Sequence, residues 1–148
     1  MDKNYIYLAG SIDKFSVEKA TGWRKEITKI LKDTFINIEI LDPTVEYHNL
    51  PPNEILDIGI LDRKKQKEIF KKDLKMLSSA NFMAACIFEN SANIGTVFEL
   101  GFAYSWGIPV IAYIENKALR EHVFITSSAC VVNSYDELEN KLINKIKE

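Results

Sequence analysis

Apolar residues along the chain fall into short continuous runs separated by longer segments of helical period. Tyr5-Ile-Tyr-Leu-Ala is a β-rich run that stops at Gly10-Ser11. Behind a capping Ser16, the residues Ala20, Trp23, Ile27, Ile30 and Leu31 then recur at the spacing of one helix face. Phe35 to Leu41 is a second β-branched run, closed by Asp42-Pro43, where proline drives the chain out of regular structure. From Pro43 to about Leu61 no period holds, and a connection of that length inside a compact domain is usually functional or mobile, which makes it a candidate lid. Asp62 to Leu77 reads as a helix with Ile69, Phe70, Leu74 and Leu77 on one side. Lys64, Lys65, Lys71, Lys72 and Lys75 lie mostly on the other side, a solvated face with Glu68 and Lys72 paired at i,i+4. Phe82 to Phe88 is a continuous apolar strand, Thr96 to Trp106 a helix, Pro109 to Ile114 a strand and Ala129 to Val132 a last short strand. Ser134-Tyr-Asp-Glu137 is a capping box that opens a C-terminal helix.

Strands that are apolar throughout and alternate with helices predict a parallel sheet covered on both faces. The expected fold is α/β: a three-layer α/β/α sandwich with a five-stranded parallel sheet, flavodoxin-like and doubly wound. Right-handed crossovers place the loops after the strands along one sheet edge, where such folds bind ligands. That edge collects Gly10-Ser11, the Pro43 loop and the segment from Glu89 to Gly95.

Length and charge narrow the function. The 148 residues make one domain, 1–148, and with 47% hydrophobic residues the chain is expected to fold alone. A formal charge of −2 offers no basic field for a polyanion, so nucleic acid is not an expected partner. The N-terminal apolar run is too short for a signal-peptide core, and no run approaches the ~20 residues of a membrane span. A cytoplasmic location without membrane association is expected. Cys86 and Cys130 sit in apolar runs with no C-x-x-C spacing, which reads as buried free thiols rather than a metal site. Leu8-Ala-Gly10-Ser-Ile lacks the G-x-G-x-x-G of dinucleotide binding, and P-loop, G-x-S-x-G and H-E-x-x-H motifs are missing. No metal and no cofactor is expected.

Two carboxylates stand out. Ile69, Asp73 and Leu77 share one helix row on the apolar side, so Asp73 is either a boundary residue turned to solvent or a functional group. Thr96-Val-Phe-Glu99 satisfies a capping box, so Glu99 is either a cap or a carboxylate held at the ligand edge near Asn93 and Gly95. The helix around it is apolar nearly all the way round, from Val97 to Trp106. Its surplus surface is covered either by a second subunit or by its own neighbours.

Tyr7-Leu-Ala-Gly10-Ser11, Asp73-Leu, and Asn93-Ile-Gly-Thr-Val-Phe-Glu99-Leu-Gly-Phe-Ala followed by Gly107-Ile-Pro-Val together resemble the nucleoside 2-deoxyribosyltransferase family over most of the chain. The resemblance implies cleavage of a 2-deoxyribose–nucleobase bond by a homo-oligomer with shared active sites, taking a nucleoside or nucleotide and a free nucleobase. It implies Glu99 as nucleophile through a covalent glycosyl-enzyme intermediate, Asp73 as proton donor to the base with partial burial raising its pKa toward neutrality, and Tyr7 with its ring and hydroxyl close to the sugar and the nucleophile. Gly10, Ser11, Asn93, Gly95 and His122 become the implied substrate-binding residues. Where many of these transferases hold the 5′-hydroxyl with an Asp, this chain has Asn93. His122 aligns loosely with the family's Asn that reaches the neighbouring subunit's site, and is either that ligand contact or an exposed loop histidine. Both departures, with Gly10-Ser11-Ile12, also resemble the related 2′-deoxynucleoside 5′-monophosphate N-hydrolases, because a neutral amide and a histidine suit a phosphate better than a carboxylate does. Tyr47 and Asn49 of the candidate lid are placed near the base. A non-catalytic nucleotide-binding module is the alternative from another class.

Overall fold

The computed structural model describes residues 2–88 and 94–148. Five strands, β1 (Asn4–Gly10), β2 (Ile38–Leu41), β3 (Phe82–Ile87), β4 (Val110–Ile114) and β5 (Cys130–Val132), form one all-parallel sheet in the order β2-β1-β3-β4-β5. Helices α1 (Val17–Thr34), α2 (Arg63–Ser78), α3 (Ile94–Ser105), α4 (Lys117–Arg120) and α5 (Val123–Ser128) fill the connections, and α6 (Tyr135–Lys147) follows β5. This is the expected doubly wound sandwich. Its strand order reverses between β1 and β3, and the crevice at their carboxyl ends is where ligands bind in open α/β folds.

The period-2 alternation of the strands builds two cores. Ile6, Leu8, Ala84, Cys86 and Ile111 pack under Trp23, Ile27 and Leu31 of α1 and Leu138 and Leu142 of α6. Tyr7, Ala9, Met83, Ala85, Ile87 and Ala112 pack on the other face under Leu77 of α2, Leu100 and Ala103 of α3 and Ile125 of α5. Each fully buried Leu or Ile side chain contributes about 1.5–3 kcal/mol, so this double cover is what holds a purely parallel sheet together.

Helix ends follow the expected chemistry in part. Ser16 Oγ accepts from Lys19 N, and Asp62 Oδ1 accepts from Lys65 N at 2.9 Å. Ser134 Oγ accepts from Glu137 N, while Glu137 Oε2 reaches past the cap to Asn133 N at 2.9 Å. Beyond α3, Gly107 adopts φ +71°, a left-handed conformation that glycine takes without a Cβ clash. Several expectations change. Lys72 points to Glu46 (3.8 Å) across the long connection rather than to Glu68. Cys86 is buried as expected, but Cys130 is exposed, because it opens an edge strand. Helices α4 and α5 are too short to show a period; their signals are the caps Asn116 and His122.

The connection after β2 is not a loose lid. It contains two single-turn 3-10 helices, Val45–Tyr47 and Ile58–Ile60, and its middle is strapped to the loop after β1. Lys14 N donates to Leu56 O (2.7 Å), Leu56 N to Phe15 O (2.8 Å) and Val17 N to Glu54 O (2.8 Å). Lys14 pairs with Asp57 at 2.6 Å, and Leu56 is buried against Phe15, Val17 and Ala20.

Candidate active site

A cavity of about 430 Å³ opens at the carboxyl end of β1, between α2, the N-terminal half of α3 and the strap. Gly10 lines it from the end of β1 and Ser11 from the loop that follows, Asp73 and Ile69 from α2, Gly95, Thr96 and Glu99 from α3, and Pro43 and Tyr47 from the connection after β2. Tyr7, fully buried on the face of β1 that looks toward α3, donates its hydroxyl to Glu99 Oε2. Helical side chains lean toward the helix N-terminus, so Glu99 in the second turn of α3 leans toward the ligand edge. The expected capping box is not formed. Helix α3 begins at Ile94, so Thr96 lies within it rather than ahead of it, and Glu99 faces Tyr7 and the cavity instead.

Burial controls the electrostatics of all three groups. It pushes the Glu99 carboxyl up to about 7; the Tyr7 hydroxyl pulls it down, nearby Asp73 raises it and Arg24 lowers it. Asp73 is lifted to about 6, again chiefly by burial, with Lys72 opposing and Glu46 adding to the rise. The Tyr7 phenol is driven far above its ordinary value by burial and by the two carboxylates, so it remains a hydrogen-bond donor. Two carboxyls that line one cavity and both titrate near neutrality are suited to nucleophilic and general-acid work in one site.

Gly10 is required by contact. A Cβ there would lie 2.9 Å from both Cys86 O and the Trp23 ring, where two strands and α1 converge. Asn93, an expected 5′-end residue, falls outside the described residues. His122 does not line this cavity; it caps α5, with Nδ1 accepting from Phe124 N at 3.2 Å. Tyr47 lines the cavity and Asn49 does not. Three residues went unrecognised in the sequence. Gln66 donates to Leu61 O (2.9 Å) and Gly59 O (3.3 Å), clamping the end of the strap to α2. Arg24 and Asp42 are buried behind Gly10. Arg24 follows Ala20 by one turn on the apolar row of α1, the same signal that singled out Asp73.

Among the described residues, no cluster of three or more His, Cys, Asp or Glu is placed to hold a metal, and no helix is long and apolar enough to cross a membrane. A larger cleft of about 990 Å³ lies at the opposite edge, beside Gly107, Pro109 and Asn140, where Asp136 and Glu148 are exposed. It has no paired, buried carboxyls of the kind that mark the β1 edge.

The 2-deoxyribosyltransferase of Bacillus psychrosaccharolyticus is similar to this chain at 25% identity, covering 92% of this chain and 90% of that one, with a TM-score of 0.64. A conserved protein from Enterococcus faecalis V583 (18% identity, 97% and 99% covered, TM-score 0.68) shares the fold. So does a CMP N-glycosidase of Clostridium botulinum (14% identity, 96% and 99% covered, TM-score 0.58). No curated protein matches in sequence. The family described as nucleoside 2-deoxyribosyltransferase matches residues 6–141, from β1 into α6 and through Tyr7, Asp73 and Glu99. The chain therefore belongs to the nucleoside 2-deoxyribosyltransferase family, enzymes that act on N-glycosidic bonds.

Proposed function

We propose that this protein is a nucleoside 2-deoxyribosyltransferase working through a covalent glycosyl-Glu99 intermediate. The observation that carries this reading is the shared cavity in which Glu99 accepts from Tyr7 while Asp73 faces the same space. In the first step a Glu99 oxygen bonds to C1′ as the C1′–N bond breaks. Its electron pair goes to the base nitrogen, and Asp73 gives that base a proton. In the second step a nitrogen of the incoming base bonds to C1′, its proton passes to Asp73, and Glu99 leaves as carboxylate. Both steps pass through an oxocarbenium-like transition state with Glu99 beneath C1′. Tyr7 holds one Glu99 oxygen in place, which supports attack from a fixed direction. Pro43, Tyr47 and Ile69 supply an apolar wall for a planar base.

The lining also bears on the 5′ end of the substrate. Among the described residues it holds the carboxylates of Asp13, Asp73 and Glu99 and no Lys or Arg, which favours a free 5′-hydroxyl over a 5′-phosphate. The surface next to the site is, in this reading, where a second copy of the chain binds. Exposed apolar side chains surround the site, Ile94 (86% exposed) and Phe98 on α3, with Phe98 against Phe70 of α2, and Val123 and Phe124 on α5 beside His122, which supports a homo-oligomer.

The test is chromatography of deoxynucleosides incubated with the protein, with and without a different free base, together with intact-mass analysis of the enzyme. A new deoxynucleoside formed only with added base, and a deoxyribosyl adduct lost in Glu99→Ala, are the expected results. Asp73→Asn is expected to slow turnover by about 10²–10⁴-fold. Base released from a 5′-monophosphate at the same rate with or without acceptor, and no exchange product, would replace this reading by an N-hydrolase.

A further inference from the structure

We propose that Arg24 is a positioning residue for this site: its buried guanidinium pins the carboxyl end of β1 through Gly10 and sets a positive charge directly behind the cavity that Glu99 lines. The inference rests on Glu99 as nucleophile and adds the residue that keeps it one. Arg24 is fully buried in α1, an expensive place for a charge unless it is held on several sides. One terminal nitrogen donates to Gly10 O at 3.0 Å and the other to Ala20 O, and the guanidinium stacks over the Trp23 ring with its carbon 4.8 Å from the centroid. Gly10 lines the cavity, so the cation is anchored directly behind the floor of the site.

Its partnering with a carboxylate is incomplete. Nε lies 3.7 Å from Asp42 Oδ1 and makes no hydrogen bond. Asp42 Oδ1 is already engaged by Thr44 N (2.8 Å) and Thr44 Oγ1 (2.6 Å), and Asp42 Oδ2 faces His48 Nε2 at 3.3 Å. A buried cation whose nearest carboxylate is shared in this way keeps part of its field for other groups. The groups that feel it are Asp42 beyond β2, Tyr7 on β1, Glu99 on α3 and Cys86 on β3, with Asp73 on α2. Glu99 in turn is faced by the Tyr7 hydroxyl, by Asp73, which opposes its ionisation, and by Arg24, which favours it. Without Arg24 the nucleophile is left with a phenol and a second carboxyl. The arrangement assigns Asp42 the converse role: it balances the cation, and by doing so limits how far Glu99 is stabilised.

The two roles predict opposite signs. Glutamate side-chain carboxyls labelled with carbon-13 are titrated by NMR, with the Glu99 signal assigned by its loss in Glu99→Gln. The Glu99 midpoint is expected to move to higher pH in Arg24→Gln and to lower pH in Asp42→Asn, and the acid limb of kcat/KM to move with it. Arg24→Lys, which restores the charge, is expected to bring the midpoint back toward wild type. Unchanged midpoints, or shifts of the same sign in Arg24→Gln and Asp42→Asn, overturn the proposal. Should Arg24→Gln fail to fold, Asp42→Asn decides: a downward shift supports the proposal and any other result overturns it. The nucleophile reading is judged separately by the glycosyl adduct on the wild-type enzyme, because the titration is read without turnover.

Discussion

Removing the Glu99 charge is expected to stabilise the protein while abolishing its activity, and the gain depends on pH in a calculable way. In the unfolded chain the carboxyl titrates near 4.5; in the folded chain burial lifts it to about 7. The folded state therefore holds the Glu99 proton more tightly, and between those two values the protein loses stability as pH rises, by about 1.4 kcal/mol per pH unit. Over the whole window the loss amounts to about 3 kcal/mol, complete above pH 7 and absent below 4.5. Glu99→Gln keeps an oxygen for the Tyr7 hydroxyl and has no proton to lose, so it escapes this loss. Urea unfolding of wild type and Glu99→Gln, followed at intervals from pH 4.5 to 8, should show a stability difference that widens toward the variant by about 3 kcal/mol. For a domain of this size that corresponds to roughly 6–12 °C in Tm. A difference that stays constant across the range would refute the reasoning, since it would mean that Glu99 ionises in the folded protein as readily as in water.

Other perturbations test other parts of the site. In the proposed mechanism the productive state has Glu99 ionised and Asp73 protonated, the minor protonation state because Glu99 titrates above Asp73, so kcat/KM is expected to be bell-shaped with apparent values for the pair near 6 and 7. Asp73→Asn should erase its alkaline limb, and a profile flat from pH 5 to 9 would contradict the assignment. Gly10→Ala forces a Cβ to 2.9 Å from a backbone carbonyl and an indole ring, and should cost about 1–3 kcal/mol in urea unfolding; wild-type stability would show that the β1 end is looser than described. Phe98→Glu together with Phe124→Glu places charge on exposed apolar positions of α3 and α5 and should lower the sedimenting mass to that of a single chain, whereas an unchanged mass would move the contact elsewhere.

How much of this was legible beforehand differs from element to element. β1, α1, α2, β3 and β4 were readable because each has enough residues to display a period or a continuous apolar run. Asp73 was visible as a carboxylate on an apolar helix row. Arg24 carries the same signal in α1, but a single cation on a mostly apolar face equally reads as a side chain that snorkels to water. Glu99 was ambiguous from local sequence: Thr96 and Glu99 have capping-box spacing, and only the start of α3 at Ile94 shows that the box is not used. The strap between Pro43 and Leu61 has no period, since its order comes from backbone bonds to residues 14–18 rather than from a repeating apolar face.

The sequence by itself determined the α/β architecture, the sheet edge at which Gly10 and Glu99 meet, and the family, because apolar runs, helical periods and local motifs are properties of neighbours along the chain. The tertiary structure alone decided that the Tyr7 hydroxyl donates directly to Glu99 across 92 positions, that burial lifts Glu99 as well as Asp73, and that Arg24 stands behind the floor of the site. Desolvation and Coulomb interactions depend on distance in space and on what excludes water, and neither quantity is written in the order of the residues.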